Sequence, residues 1–149
     1  MPPSAVIDLT QLVPMAMQRW DRSPLFQHWV AGDFVWVISA EMLNEFRLVT
    51  NRPELARYIR RPARDALMDK LATDALVVSP VTSADVPHCR DPKDDVVIAT
   101  AIAARAQFIV TMDGDLHDPP LAARLREKYG IRVAYPGEFL EATGFARRK

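Results

Sequence analysis

Two short acidic stretches, Asp91-Pro92-Lys93-Asp94-Asp95 and Asp113-Gly114-Asp115, stand at either end of a mostly apolar segment. Clusters of carboxylate oxygens suit hard divalent ions, Mg²⁺ or Mn²⁺, better than zinc. Such ions activate water, orient a phosphodiester and stabilise the charge that develops during displacement. Two more acids sit where a charge is unusual. Asp8 interrupts the apolar run 5–9, which is costly unless the charge is paired or faces a site. Glu45 lies beside Phe46 and one helical turn from Met42, at the edge of an apolar stripe. Each acid also has a plain structural reading. Aspartate caps helices, Asp-Gly makes turns, and a helical glutamate is usually solvated. The chemical reading depends on whether the elements carrying these acids meet.

Asp91 followed by Pro92 reads as an N-cap and first helical position. Asp94 then falls at the third position, facing free backbone N–H groups and the positive end of the helix dipole. Val97, Ile98, Ala101 and Ile102 follow at helical spacing, so Asp94, one turn earlier, points inward above the core. Residues 107–112 form an apolar strand run ending in Asp113. Other strands are expected at 5–9, 34–38, 76–81 and 131–135. Helices are expected over 12–20 with a start near Pro14, from Ser23-Pro24 to Gly32, and from Ser39 with the buried stripe Met42, Phe46 and Val49. Further helices are expected over 54–61, 62–73 and 121–129, and from Pro136 onward. This alternation argues for a parallel sheet with helices on both faces. All strand C-termini then share one edge, where Asp8, Glu45, Asp94 and Asp113 can converge.

The 149 residues suffice for one domain, 1–149, with one sizeable core. Nineteen basic and nineteen acidic side chains cancel, so a polyanion must be met locally or through cations. The single cysteine, Cys89, excludes an internal disulfide and fits a reducing compartment, hence a cytoplasmic location. His88 and Cys89 are too few ligands for a zinc site. There is no signal-peptide pattern at the N-terminus and no apolar run of membrane-spanning length. Arg57, Arg60, Arg61 and Arg64 form a basic cluster that could grip a phosphate backbone or a protein, or simply be a solvated helix face. The tail from about residue 144, ending in Arg147-Arg148-Lys149, is expected to be flexible.

Several motifs in order carry a resemblance: Val6-Ile7-Asp8, Ser23-Pro24-Leu25, the helix from Ser39 to Glu45, and Arg52-Pro53. They continue with Arg90-Asp91-Pro92-Lys93-Asp94-Asp95, Val110-Thr111-Met112-Asp113-Gly114-Asp115-Leu116, and Gly130-Ile131-Arg132-Val133 leading to Pro136 and Glu138-Phe139-Leu140. In these the chain resembles PIN-domain ribonucleases, in particular toxin components of bacterial toxin–antitoxin systems. The resemblance implies a three-layer α/β/α sandwich with a central parallel sheet. It implies a Mg²⁺- or Mn²⁺-dependent endoribonuclease that hydrolyses RNA, forms a homodimer and is blocked by an antitoxin protein. Asp8, Glu45, Asp94 and Asp113 match the family's acidic quartet. Asp95 and Asp115 match accessory acids, and Asp94 and Asp95 are interchangeable at this level of register.

The first motif departs from the family's Asp-Thr-Asn, reading Asp8-Leu9-Thr10. Thr10 takes the asparagine's position and can donate a hydrogen bond, whereas Leu9 cannot replace the hydroxyl. Met112 stands where a glycine often precedes the fourth acid. A second expectation follows from Leu9: a catalytically weakened PIN-like module that binds RNA or a protein partner. A phosphoacceptor receiver domain would need a lysine ending the last strand, and Arg132-Val133-Ala134-Tyr135-Pro136 has none. A phosphatase nucleophile would place an Asp-Gly-Asp motif on the first strand rather than at 113–115.

Overall fold

The computed structural model describes residues 1–82 and 86–145. Five strands, β1 (Ser4–Ile7), β2 (Val35–Ser39), β3 (Leu76–Val78), β4 (Phe108–Val110) and β5 (Arg132–Ala134), form one sheet in the order β3-β2-β1-β4-β5. Every pairing is parallel, so the strand ends that carry acids lie along one edge.

Side-chain alternation along β2 explains the layers. Successive residues of a strand point to opposite faces, so Trp36 and Ser39 face apart. Trp36 packs on Trp29 of α2 (Pro24–Val30) and on Phe34, which meets Phe139 of α8 (Pro136–Ala142). Phe139 also meets Phe108 of β4, which makes this face an aromatic layer. On the other face Ser39 Oγ accepts a hydrogen bond from Thr100 Oγ1 of α6 (Asp95–Ala104), at 3.1 Å. The buried residues of α6, Val97, Ile98, Ala99, Thr100 and Ala101, cover the middle strands. The result is an α/β/α sandwich. No helix among the described residues is long and apolar enough to cross a membrane.

Several elements differ from their sequence expectation. Helix α1 (Leu9–Ala16) begins directly after Asp8, which caps it, and Pro14 lies inside the helix rather than at its start. Its exposed position and the helix's end two residues later limit the damage from the missing N–H. In α3 (Ala40–Thr50), capped by Ser39, the buried stripe is Met42, Phe46 and Thr50; Val49 is half-buried. The 54–61 helix shrinks to one turn, α4 (Pro53–Ala56), before α5 (Arg61–Asp74). Pairing of β3 stops at Val78, not 81, and Leu76 and Val77 are exposed because β3 is a free edge. Helix α7 (Pro119–Tyr129) starts at its first proline, not at 121.

Arg64 is a correction to the basic cluster. It is buried, with Nη1 donating to Asn51 Oδ1 at 2.6 Å and to Thr50 Oγ1 at 3.2 Å, and so ties α5 to the end of α3. Arg57, Arg60 and Arg61 remain exposed. At the other end, Phe145 is anchored by its N–H to Leu140 O at 2.9 Å and by an edge contact with His28. The described chain is thus packed as far as Phe145, and the rest of the tail, residues 146–149 with Arg147, Arg148 and Lys149, lies outside the described residues.

Candidate functional site

The register of β1 on β4 opposes Ile7 to Val110, so the next residues, Asp8 and Thr111, meet just beyond the strand ends. Asp8 is 2 % exposed. Its Oδ2 accepts the Thr111 hydroxyl at 2.5 Å, and its Oδ1 accepts the Thr10 hydroxyl and the Thr10 N–H, the latter at 3.1 Å. Burial raises the Asp8 carboxyl above its ordinary range; the threonine donors oppose this, and the charge of Asp113 adds to it.

The two threonines also accept. Thr111 Oγ1 takes the Asp113 N–H at 2.9 Å, and Thr10 Oγ1 takes the Met112 N–H at 3.0 Å. The turn after β4 is thereby fastened to the Asp8 carboxyl through two hydroxyls. Within the turn, Asp113 Oδ1 accepts the Asp115 N–H at 2.9 Å, an arrangement for which aspartate is suited.

Asp94 is brought in by the segment that leads into α6. Asp91 accepts the Lys93 N–H at 3.0 Å and caps a 3₁₀ turn over Pro92–Asp94, which leads into α6. One carboxylate oxygen from each of Asp94, Asp113 and Asp115 lies within 4.8 Å of the others. All three are half-buried. The Asp94 carboxyl is pushed up to about 7, first by burial, then by a hydrogen bond to Asp113 that only its protonated form can make, and by the charge of Asp113. Asp91 and Asp8 push it the same way. Among the described residues no lysine or arginine pairs with any of these acids. A group of three carboxylates without a cationic side chain, made only of hard oxygen donors, fits a divalent ion of the Mg²⁺ or Mn²⁺ type.

The remaining site residues expected from sequence fall elsewhere. Asp95 turns to the preceding loop: Oδ1 accepts the Cys89 N–H at 2.6 Å, and Oδ2 lies 2.9 Å from His88 Nδ1. Asp94, not Asp95, faces Asp113. Cys89, whose thiol is raised by burial, lies 3.8 Å from Asp94 Oδ2. Glu45 is half-buried on α3 and stands outside the group of three. Thr111 was not singled out by sequence; only its place between a strand and an acid pointed to it. A separate cleft of about 910 Å³, lined by Phe26, His28, Asp33 and Phe145 among others, shares no residue with these acids.

Residues 4–115, most of the chain and all of the acids just described, match the sequence pattern of the PIN domain. No curated protein and no solved structure matches the chain.

Proposed function

The chain belongs to the PIN-domain family, whose members are generally nucleases, and on that premise we propose that it is a Mg²⁺- or Mn²⁺-dependent endoribonuclease. The observation that carries this reading is the meeting of Asp94, Asp113 and Asp115 at the sheet edge with no cationic side chain among them. These three, with Asp8 behind them, would hold the ion. When bound, it supplies Lewis acidity toward water and toward the phosphodiester. The chain's own residues set the stage. Asp94, whose carboxyl is raised to about 7, would give up its proton to become a ligand when a cation binds beside it. Thr10 and Thr111 fix the direction of Asp8 and hold the Asp113 turn against it. The place of Glu45 in the quartet rests on the motif resemblance.

Cleavage of a mixed RNA pool by purified protein tests the reading, with Mn²⁺, Mg²⁺ or chelator and an Asp94→Asn control. Metal-dependent cutting absent from the variant is the expected result; equal cutting by both proteins would reject the assignment.

The alternative, a weakened module that binds RNA or a protein without cutting, was motivated by Leu9. Leu9 packs half-buried against the core. The second hydroxyl on Asp8 comes instead from Thr111, which favours a competent site. Roles as a toxin, as the partner of an antitoxin, and in the cytoplasm rest on the resemblance and composition. Self-association has one structural support: the exposed apolar Leu76 and Val77 on the free β3 edge.

A further inference from the structure

Tyr135 follows β5 and is 42 % exposed, although Phe139, one helical turn on, is fully buried. Its ring is nearly parallel to that of His117, with centroids 3.7 Å apart and planes at 8°. The His117 ring is held in place: Nε2 bonds to Thr111 O at 2.8 Å, and the backbone N–H bonds to Gly114 O at 3.1 Å. Tyr135 is also fixed, by its N–H to Glu138 Oε1 at 3.0 Å and by the register that sets Val110 beside Ala134. Thr111 N bonds to Ala134 O at 3.0 Å, so the stack abuts the residue that grips Asp8. Met112, next to Thr111 in the chain, is exposed as well.

We infer that Tyr135, braced by His117, is a stacking platform for one nucleobase of a single-stranded RNA whose phosphate lies at the Asp94–Asp113–Asp115 group. The inference rests on the nuclease reading and names how that site takes its substrate. A base can stack on a side chain only when it has left its own stack, which selects single strands, loops and ends. Stacking accepts every base because every base has a π-face. A chain of zero formal charge has little long-range electrostatic grip on RNA, so non-ionic contacts must contribute to affinity. A pre-fixed aromatic pair suits this, since little ordering remains to be done when the base lands. Both His117 and Tyr135 lie beyond the 4–115 match, so this contact is separate from the shared acidic pattern.

The test uses fluorescein-labelled oligouridylate and oligoadenylate and, as control, an abasic ribose-phosphate oligomer of equal length. Binding is measured on Asp94→Asn protein with and without Tyr135→Leu, and cleavage on otherwise wild-type protein with Mn²⁺. Circular dichroism checks folding. Tyr135→Leu is expected to weaken binding of both base-bearing oligomers by about 5- to 100-fold, the range for one stacked base. The abasic oligomer should bind both proteins alike, the cleavage loss should fall in KM rather than kcat, and Tyr135→Trp should restore binding. Equal binding of oligouridylate with and without the tyrosine overturns the inference, as does an equal loss on the abasic oligomer, or no RNA binding at all. Cleavage that is normal in Tyr135→Leu removes the platform and leaves the nuclease. Absence of cleavage by wild type, with base-dependent binding still lost in Tyr135→Leu, removes the nuclease and leaves the platform.

Discussion

Thr111 Oγ1 donates its proton to Asp8 Oδ2 at 2.5 Å and itself accepts the Asp113 N–H at 2.9 Å. One side chain thus links the acid that follows β1 to the acid that follows β4. A buried carboxylate left without such a donor bears its full desolvation penalty.

Thr111→Val keeps the shape and removes the hydroxyl. Stability should fall by about 1–3 kcal/mol in urea unfolding. RNA cleavage should fall by about 10- to 100-fold, as for other groups that orient metal ligands. Thr111→Ser should recover most of both. A valine variant with wild-type rate would mean that Asp8 needs no support from β4.

In chelator, Asp94 makes stability depend on pH. Its carboxyl is raised from 3.8 to about 7 in the folded chain, so ionising it is harder there than in the unfolded chain. The folded state gains full benefit below the ordinary value and loses it as pH rises through about 7. Asp94→Asn should remove this loss. With the screening of a half-exposed group, its Tm at pH 8 is expected about 2–4 °C above wild type. Thermal melts across this pH range check it, and Mn²⁺ should reverse the order because only wild type binds it well.

Asp95 gives a different signature. Its two oxygens hold Cys89 N and His88, so Asp95→Ala should free the loop rather than empty the acid group. Alkylation of Cys89, 8 % exposed in the folded chain, is expected to accelerate by about tenfold or more through local opening. Unchanged labelling kinetics would show that the loop is held by other contacts.

Arg64→Ala should cost about 2–3 kcal/mol, because a buried charged donor and its partners Thr50 and Asn51 lose their bonds together. Arg64→Lys is not expected to restore it, since an ammonium cannot reproduce the planar fork. Denaturant midpoints measure both. A mild loss with full recovery in lysine would return Arg64 to the solvated cluster.

The sheet and its acidic edge were legible because strand and helix alternate and because Asp91-Pro92 is a strong start signal. That signal opens a 3₁₀ turn before α6, a distinction the same residues do not encode. The start of α1 was hidden because Leu9 fits an apolar strand as well as a helix, and Pro14 suggested a later beginning. Thr111 was concealed because threonine is at home in a strand run, so its hydroxyl carries no local mark. Burial of Arg64 depends on Thr50 and Asn51, on another element, and no local pattern reveals such a tie. The choice between Asp94 and Asp95 needed coordinates, since adjacent helical residues differ by about 100° in direction.

The most direct measurement is a Mn²⁺ titration of wild type and Asp113→Asn followed at once by calorimetry and by the rate of RNA cleavage. The account predicts Mn²⁺ binding to wild type, a cleavage rate that rises in step with occupancy, and loss of both by about 10-fold or more in Asp113→Asn. Cleavage that persists in chelator, or Mn²⁺ binding that the substitution leaves unchanged, would contradict it.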